Sequence, residues 1–178
     1  MCFETYWNGM KAAAMPAHPA NENKMTVVHG YAADGNTRYG DCVECALVHM
    51  VETFRALAGH PITFTEAQTL ALYSAITGFD PAKPETDQGT ALLDALKFWK
   101  NCGVTGPDGV AHTIGAFVAI DITNLDAVEA ALHLFDGIFL GVGLPKTAQT
   151  QRLWDVVGDG KTGDSAPYSW GGHCVPYL

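Results

Sequence analysis

Residues 39–58 read YGDCVECALVHMVETFRALA, and this stretch gives the strongest indication of the fold. Its apolar residues recur every three or four positions, which predicts one amphipathic helix with a single buried face: Val43, Ala46, Leu47, Met50, Val51, Phe54 and Leu57. Gly59 supplies the stop signal. Asp41, followed three residues later by Glu44, matches a capping box. Asp41 is therefore the predicted N-cap, and Cys42 is the predicted first residue of the helix.

The predicted position of Cys42 favours a reactive thiol. The thiolate is the nucleophilic form, and a helix N-terminus with an imidazolium nearby can lower a cysteine pKa from its usual value of about 8.5. Gly171-Gly172-His173 near the C-terminus offers a candidate base, and Asn36 lies in a loop six residues before the cysteine. The sequence thus predicts a thiol nucleophile at Cys42 with His173 as its base.

Composition bounds the class of protein. The chain has 178 residues, of which 48% are apolar, so it can bury one sizeable core but not two. A net charge of -9 without any Lys/Arg cluster argues against a nucleic-acid partner. The first 24 residues have no basic region followed by an apolar run, so we expect neither a signal peptide nor a membrane partner. Five cysteines suit free thiols in a reducing compartment.

The order of predicted elements indicates an α+β domain. Residues 1–34 lack a sustained period and are interpreted as an extended arm, which leaves 35–178 as the domain. Besides the first helix, the patterns predict helices at Thr65–Ile76, Gly89–Asn101 and Leu125–Phe135, the last capped by Asn124. Strands are predicted at His112–Ile120, Ile138–Leu144, Trp154–Val157 and His173–Tyr177. Helices first and strands later place the nucleophile on a helix and the base on a strand.

Four motifs together resemble the papain-like cysteine peptidase fold from about residue 35 to the end. They are Gly35-Asn36, Tyr39-Gly40-Asp41-Cys42, Trp154-Asp155-Val156 and Ser169-Trp170-Gly171-Gly172-His173, and the pattern is most similar to uncharacterised bacterial and phage proteins of that fold. The resemblance implies a hydrolase, a thiol protease or amidase that acts on a polypeptide or amide substrate without cofactor or metal. It also implies three catalytic residues: Cys42 attacks the carbonyl, His173 takes the proton and the amide of Asn36 helps to hold the oxyanion.

This region has two other interpretations. Cys45 could be the nucleophile, but Tyr39 stands six residues before it and offers no amide, and Cys45 falls a full turn inside the helix. Cys42-x-x-Cys45 with His49 could bind zinc, but no fourth ligand is evident. Trp99 and Trp154 are predicted as core aromatics.

The chain departs from the papain-like pattern after His173, because it ends five residues later. A papain-like domain continues through further strands that carry an Asn or Asp to orient the histidine. We expect one of three explanations. The sequence is a fragment, a partner chain supplies the missing strands, or the protein is a noncatalytic structural or binding module such as a phage virion component. Residues 175–178 would leave an unpaired strand edge, so an oligomer or larger assembly is expected. The expected location is the cytoplasm of a bacterium or phage-infected cell, or the virion for the noncatalytic alternative.

Overall fold

The structure, a computed structural model, describes residues 23–178. Most of the predicted arm therefore lies outside the described residues. The four α-helices of this part of the chain are α1 (Cys42–Leu57), α2 (Glu66–Thr77), α3 (Leu92–Asn101) and α4 (Leu125–Phe135). The strands are β1 (Val104–Thr105), β2 (Ala111–His112), β3 (Ile138–Leu144) and β4 (Gly171–Tyr177). Short 3-10 turns occupy Met25–Val27, Pro84–Thr86, Lys146–Thr150 and Gly163–Ser165. The chain is an α+β protein.

Helix α1 is the centre of the core. It begins at Cys42 as predicted, and Gly59 follows its end with a φ of +76°, which glycine adopts without steric cost. Its buried face contacts α2, α3 and β4. Phe54 stacks on Trp99 of α3, with 6.2 Å between ring centroids, and Trp99 is only 3% exposed. The central helix and the core position of Trp99 are confirmed.

The predicted caps of α2 and α4 are confirmed. The Thr65 side chain accepts the N–H of Gln68 and the Gln68 side chain accepts the N–H of Thr65, so both halves of a capping box are present. Asn124 Oδ1 accepts the N–H of Ala127 at 3.2 Å. Each cap satisfies backbone donors that the first turn of a helix leaves unpaired.

Within residues 23–178 the β part consists of two antiparallel strand pairs. β3 and β4 are antiparallel over seven residues, from Ile138 opposite Tyr177 to Leu144 opposite Gly171. β1 and β2 form a second pair of two residues each. The predicted strand His112–Ile120 is wrong except for its first residue and a single bridge at Ala119, and the predicted strand Trp154–Val157 is wrong because those residues have no strand partner. Strand propensity alone does not form a strand without a neighbouring chain to pair with.

Strand β4 brings the C-terminal motif to the central helix. Cys174 and Leu178 are buried in the same cluster as Val43 and Leu47 of α1. Near the other end of the described chain, Tyr31 Oη lies 2.7 Å from the hydroxyl of Thr53 on α1. Among residues 23–178, no helix is both long and apolar enough to cross a membrane.

Candidate functional site

The loop before Cys42 is a tight, partly buried turn. Asp34 and Gly35 have positive φ angles of +49° and +105°. The N–H of Asn36 donates to Ala33 O at 2.8 Å, and the N–H of Arg38 donates to Gly35 O at 2.8 Å. Asn36 is half-buried, and its side-chain amide has no hydrogen-bond partner among the described residues. The amide is thus available to a ligand.

A partly buried hydrogen-bond network fixes this loop to the segment before α3. The N–H of Gly40 and the hydroxyl of Tyr73 both donate to Asp87 Oδ1, at 2.9 and 2.8 Å. The same hydroxyl accepts the N–H of Gly89 at 2.9 Å. A Cβ on Gly40 would lie 2.9 Å from Asp87 Oδ1, so this close approach requires glycine. The sequence predicted that Gly89 opens α3, but α3 begins at Leu92, and Asp87 and Gly89 instead position the chain two residues before Cys42.

Asp41 occupies the N-cap position without capping the helix. Its carboxylate accepts no cap hydrogen bond, and both of its oxygens are buried without a partner in the described chain. A Cβ on Gly35 would lie only 2.6 Å from Asp41 Oδ2, so the carboxylate packs against the preceding loop. Burial raises the pKa of Asp41 to about 6.

Glu44, the other member of the predicted capping box, points elsewhere. Its Oε1 accepts the Thr90 hydroxyl at 2.7 Å, and burial raises its pKa to about 7. The capping-box prediction is therefore wrong. Packing buries both carboxyl groups, Asp41 against Gly35 and Glu44 against Thr90, and this prevents them from capping the helix.

Cys42 is half-buried as the first residue of α1. Burial has the largest effect on the thiol and raises its pKa, whereas the nearby backbone N–H groups of Cys174 and Val43 lower it. Burial and the charges of Glu44 and Asp41 outweigh them, so the net shift of the Cys42 pKa is upward. The expectation of a lowered pKa from the helix N-terminus is wrong. The resting group at neutral pH is the thiol.

His173 lies on β4 opposite Val142 of β3. Successive strand residues leave on opposite faces, so Cys174 faces α1 and the core while the His173 ring leaves on the other face. Burial lowers the pKa of His173, which favours the neutral imidazole. Within residues 23–178, no carboxylate or amide side chain hydrogen-bonds to this ring.

Trp154 is the aromatic neighbour of His173. The two rings meet edge to face with centroids 5.8 Å apart, and Trp154 is 50% exposed. The prediction that Trp154 is a core residue is wrong. The motif Trp154-Asp155-Val156 is part of the resemblance to the papain-like fold. No local sequence pattern, however, distinguishes a tryptophan beside a site from one in a core. The structure thus brings Cys174 to the cluster around α1 and the Trp154 ring to the His173 imidazole, and among the described residues no hydrogen bond joins that imidazole to the Cys42 thiol.

Cys45 is more deeply buried than Cys42. It is buried, and its thiol donates to the carbonyl oxygens of Ala33 at 3.6 Å and Asp34 at 3.8 Å. Burial raises its pKa strongly. His49 lies against Asp34, with Nε2 3.3 Å from Oδ2. In the described part of the chain, no three His, Cys, Asp or Glu side chains are arranged to hold a metal ion.

Comparison of the chain with protein-family models, with curated proteins and with solved structures found no match.

Proposed function

We propose that the protein is a papain-like thiol hydrolase that cleaves a peptide or amide bond. Cys42 is the nucleophile, His173 the general acid and base, and the Asn36 amide an oxyanion donor. One observation supports this most: strand β4, which carries His173, packs against helix α1, which begins at Cys42, and Cys174 lies in the same cluster as Val43 and Cys42. The helix that bears the proposed nucleophile and the strand that bears the proposed base are therefore neighbours in the fold.

The two pKa shifts determine how such a reaction would begin. Burial favours the neutral thiol of Cys42 and the neutral imidazole of His173, so the resting pair is uncharged. His173 then removes the thiol proton at the moment when the sulfur attacks the carbonyl carbon. No thiolate forms on Cys42 before the substrate is attacked.

The remaining steps follow from the groups around the cysteine. Negative charge develops on the carbonyl oxygen, where the Cys42 backbone N–H and the Asn36 amide can donate. His173 returns its proton to the leaving amine, the C–N bond breaks, and a thioester remains on Cys42. His173 next takes a proton from water, whose oxygen attacks the thioester carbon, and returns that proton to sulfur as the carboxylic acid leaves.

The network around Asp87 supports this function indirectly. It fixes the Gly40 N–H, two residues before the nucleophile, to a buried tyrosine on α2. Positioning by rigid elements matters because small displacements of a nucleophile cost large factors in rate.

A noncatalytic binding module is the second candidate, and the raised pKa of Cys42 is the observation that favours it. In such a module the thiol is simply a half-buried apolar group. Within the described residues β4 pairs only with β3, so its other edge could accept a strand from a second chain in an oligomer or a virion.

A cleavage assay separates the two candidates. A mixture of defined peptides is incubated with the protein at pH 7, and new termini are identified by mass spectrometry. We expect cleavage that Cys42→Ala abolishes and that Cys102→Ala, which removes an exposed cysteine, leaves unchanged. Cleavage that persists in Cys42→Ala would refute the assigned nucleophile. No cleavage of any peptide or small amide would favour the binding module.

A further inference from the structure

Asp41, the residue before the proposed nucleophile, is a fully buried acid. Neither of its carboxyl oxygens has a hydrogen-bond partner among the described residues. The charged side chains that act on it, Asp87 and Asp34, are acidic as well, and Glu44 on the same helix turn is also fully buried. A carboxylate in such surroundings has a large free-energy cost, so the geometry favours the uncharged acid.

The other titratable groups of this cluster do not supply a positive charge. The Cys45 thiol donates to Asp34 O at 3.8 Å, and burial raises its pKa strongly. The Tyr73 hydroxyl donates to Asp87 Oδ1. His49 Nε2 lies 3.3 Å from Asp34 Oδ2, but burial lowers the pKa of this ring and favours its neutral form. In the described chain, the cluster thus offers no cation to offset a charge on Asp41.

The carboxyl of Asp41 supports the loop that carries Asn36, residues 33–40, which we call the Asn36 loop. A Cβ on Gly35 would lie 2.6 Å from Asp41 Oδ2, so backbone and carboxyl are in direct contact. The carbonyl of Gly35 in turn accepts the N–H groups of Arg38 at 2.8 Å and Tyr39 at 3.0 Å. Because Gly35 covers the carboxyl, hydration of an ionised Asp41 requires this loop to move away.

We propose that Asp41 is a positioning residue whose uncharged carboxyl holds the Asn36 loop against α1, and that its ionisation releases the loop with the Asn36 amide. The proposal rests on the proposed hydrolase function and adds a pH dependence to it. Burial raises the pKa of Asp41 from its usual 3.8 to about 6, although its own backbone N–H and the Cys45 thiol offset part of the rise. The closed loop is therefore most stable below about pH 4 and weakens as the pH rises through about 6.

Hydrogen exchange tests the proposal without requiring turnover. The N–H groups of Arg38 and Tyr39 report on the Asn36 loop, and those of α4 correct for global unfolding and for the chemical effect of pH. Opening the loop restores the usual pKa of Asp41, so the opening equilibrium should change roughly 100-fold across the full titration. In the wild type, we expect loop exchange relative to α4 to be at least tenfold faster at pH 8 than at pH 4.

Asp41→Asn isolates the carboxyl, because asparagine has the same size and no charge at either pH. This variant should show the same relative exchange at pH 4 and pH 8. Glu52→Gln is the matched control: it removes another buried acid of α1, one that accepts the N–H of Phe64, and should keep the wild-type pH dependence. A pH dependence that persists in Asp41→Asn would overturn the proposal. So would a constant wild-type ratio, whether or not the variant folds.

Peptide cleavage distinguishes failure of this proposal from failure of the proposed function. The kcat of Asp41→Asn divided by that of the wild type should be at least threefold higher at pH 8 than at pH 5. Cleavage with an unchanged ratio would overturn the link between Asp41 and Asn36 and leave the hydrolase intact. The expected exchange pattern without cleavage of any peptide would support the role of Asp41 in holding the loop and count against the hydrolase.

Discussion

Tyr73→Phe is expected to destabilise the protein through the loop that precedes the nucleophile. Tyr73 is fully buried, and its hydroxyl is the centre of the network, since it donates to Asp87 Oδ1 and accepts the N–H of Gly89. Phenylalanine keeps the ring and its stacking on Phe79, where the centroids are 4.6 Å apart. The substitution thus removes one oxygen and two hydrogen bonds.

The magnitude follows from these two bonds. A hydrogen bond to a charged group contributes about 1.5–3 kcal/mol, and a donor left unpaired costs about 1–3 kcal/mol when buried. Gly89 is only half-buried, so water can partly replace the lost partner there. We therefore expect a loss of about 3 kcal/mol in the free energy of unfolding. For a chain of this length that corresponds to a decrease of about 6–12 °C in Tm.

Urea denaturation followed by circular dichroism measures this change. Tyr168→Phe is the control, because Tyr168 is 69% exposed and removing its hydroxyl should change the stability by less than about 0.5 kcal/mol. A loss for Tyr73→Phe no larger than that of the control would refute the role of the network.

Three further substitutions test separate parts of the structure. Burial raises the Glu44 pKa to about 7, so the folded state holds its proton more tightly and stability falls as pH rises from about 4.5 through 7. In urea titrations, Glu44→Gln should match the wild type at pH 4 and be more stable by about 3 kcal/mol at pH 8; equal stability at both pH values would contradict the buried carboxyl. Thr65→Ala should cost about 1 kcal/mol in the same assay, and no change would mean that the cap is not formed in solution. Asn36→Ala should lower kcat for peptide cleavage about 100-fold while its exposed neighbour variant Thr37→Ala does not, and equal kcat values would remove Asn36 from the mechanism.

Local sequence signals predicted the helices well. The period and the terminal glycine of α1 lie within 18 residues of sequence, and the Thr65 and Asn124 caps each depend on a residue three positions away. These interactions form in the folded protein as predicted, because the residues that make them are close in the sequence. The strand Ile138–Leu144 was also predicted, since its apolar run matches its half-buried position.

Features that depend on distant partners were not predictable in the same way. Asp41 has the spacing of a cap, but its carboxylate is buried against Gly35 and makes no cap hydrogen bond. Trp154 has the composition of a core residue, yet it lies half-exposed beside His173. The sequence motifs identified Cys42 and His173 as candidates, whereas the raised pKa of the thiol follows from burial that no motif encodes.

The rate at which Cys42 is alkylated tests the central proposal most directly. Iodoacetamide is added at pH 7, and mass spectrometry resolves the modified cysteines so that the exposed Cys102 does not interfere. General-base assistance contributes about 10²–10⁴-fold to such steps. We therefore expect His173→Ala to slow alkylation of Cys42 at least tenfold, and His60→Ala, at an exposed histidine, to leave it unchanged. An alkylation rate of Cys42 that is the same with and without His173 would contradict the Cys42–His173 pair.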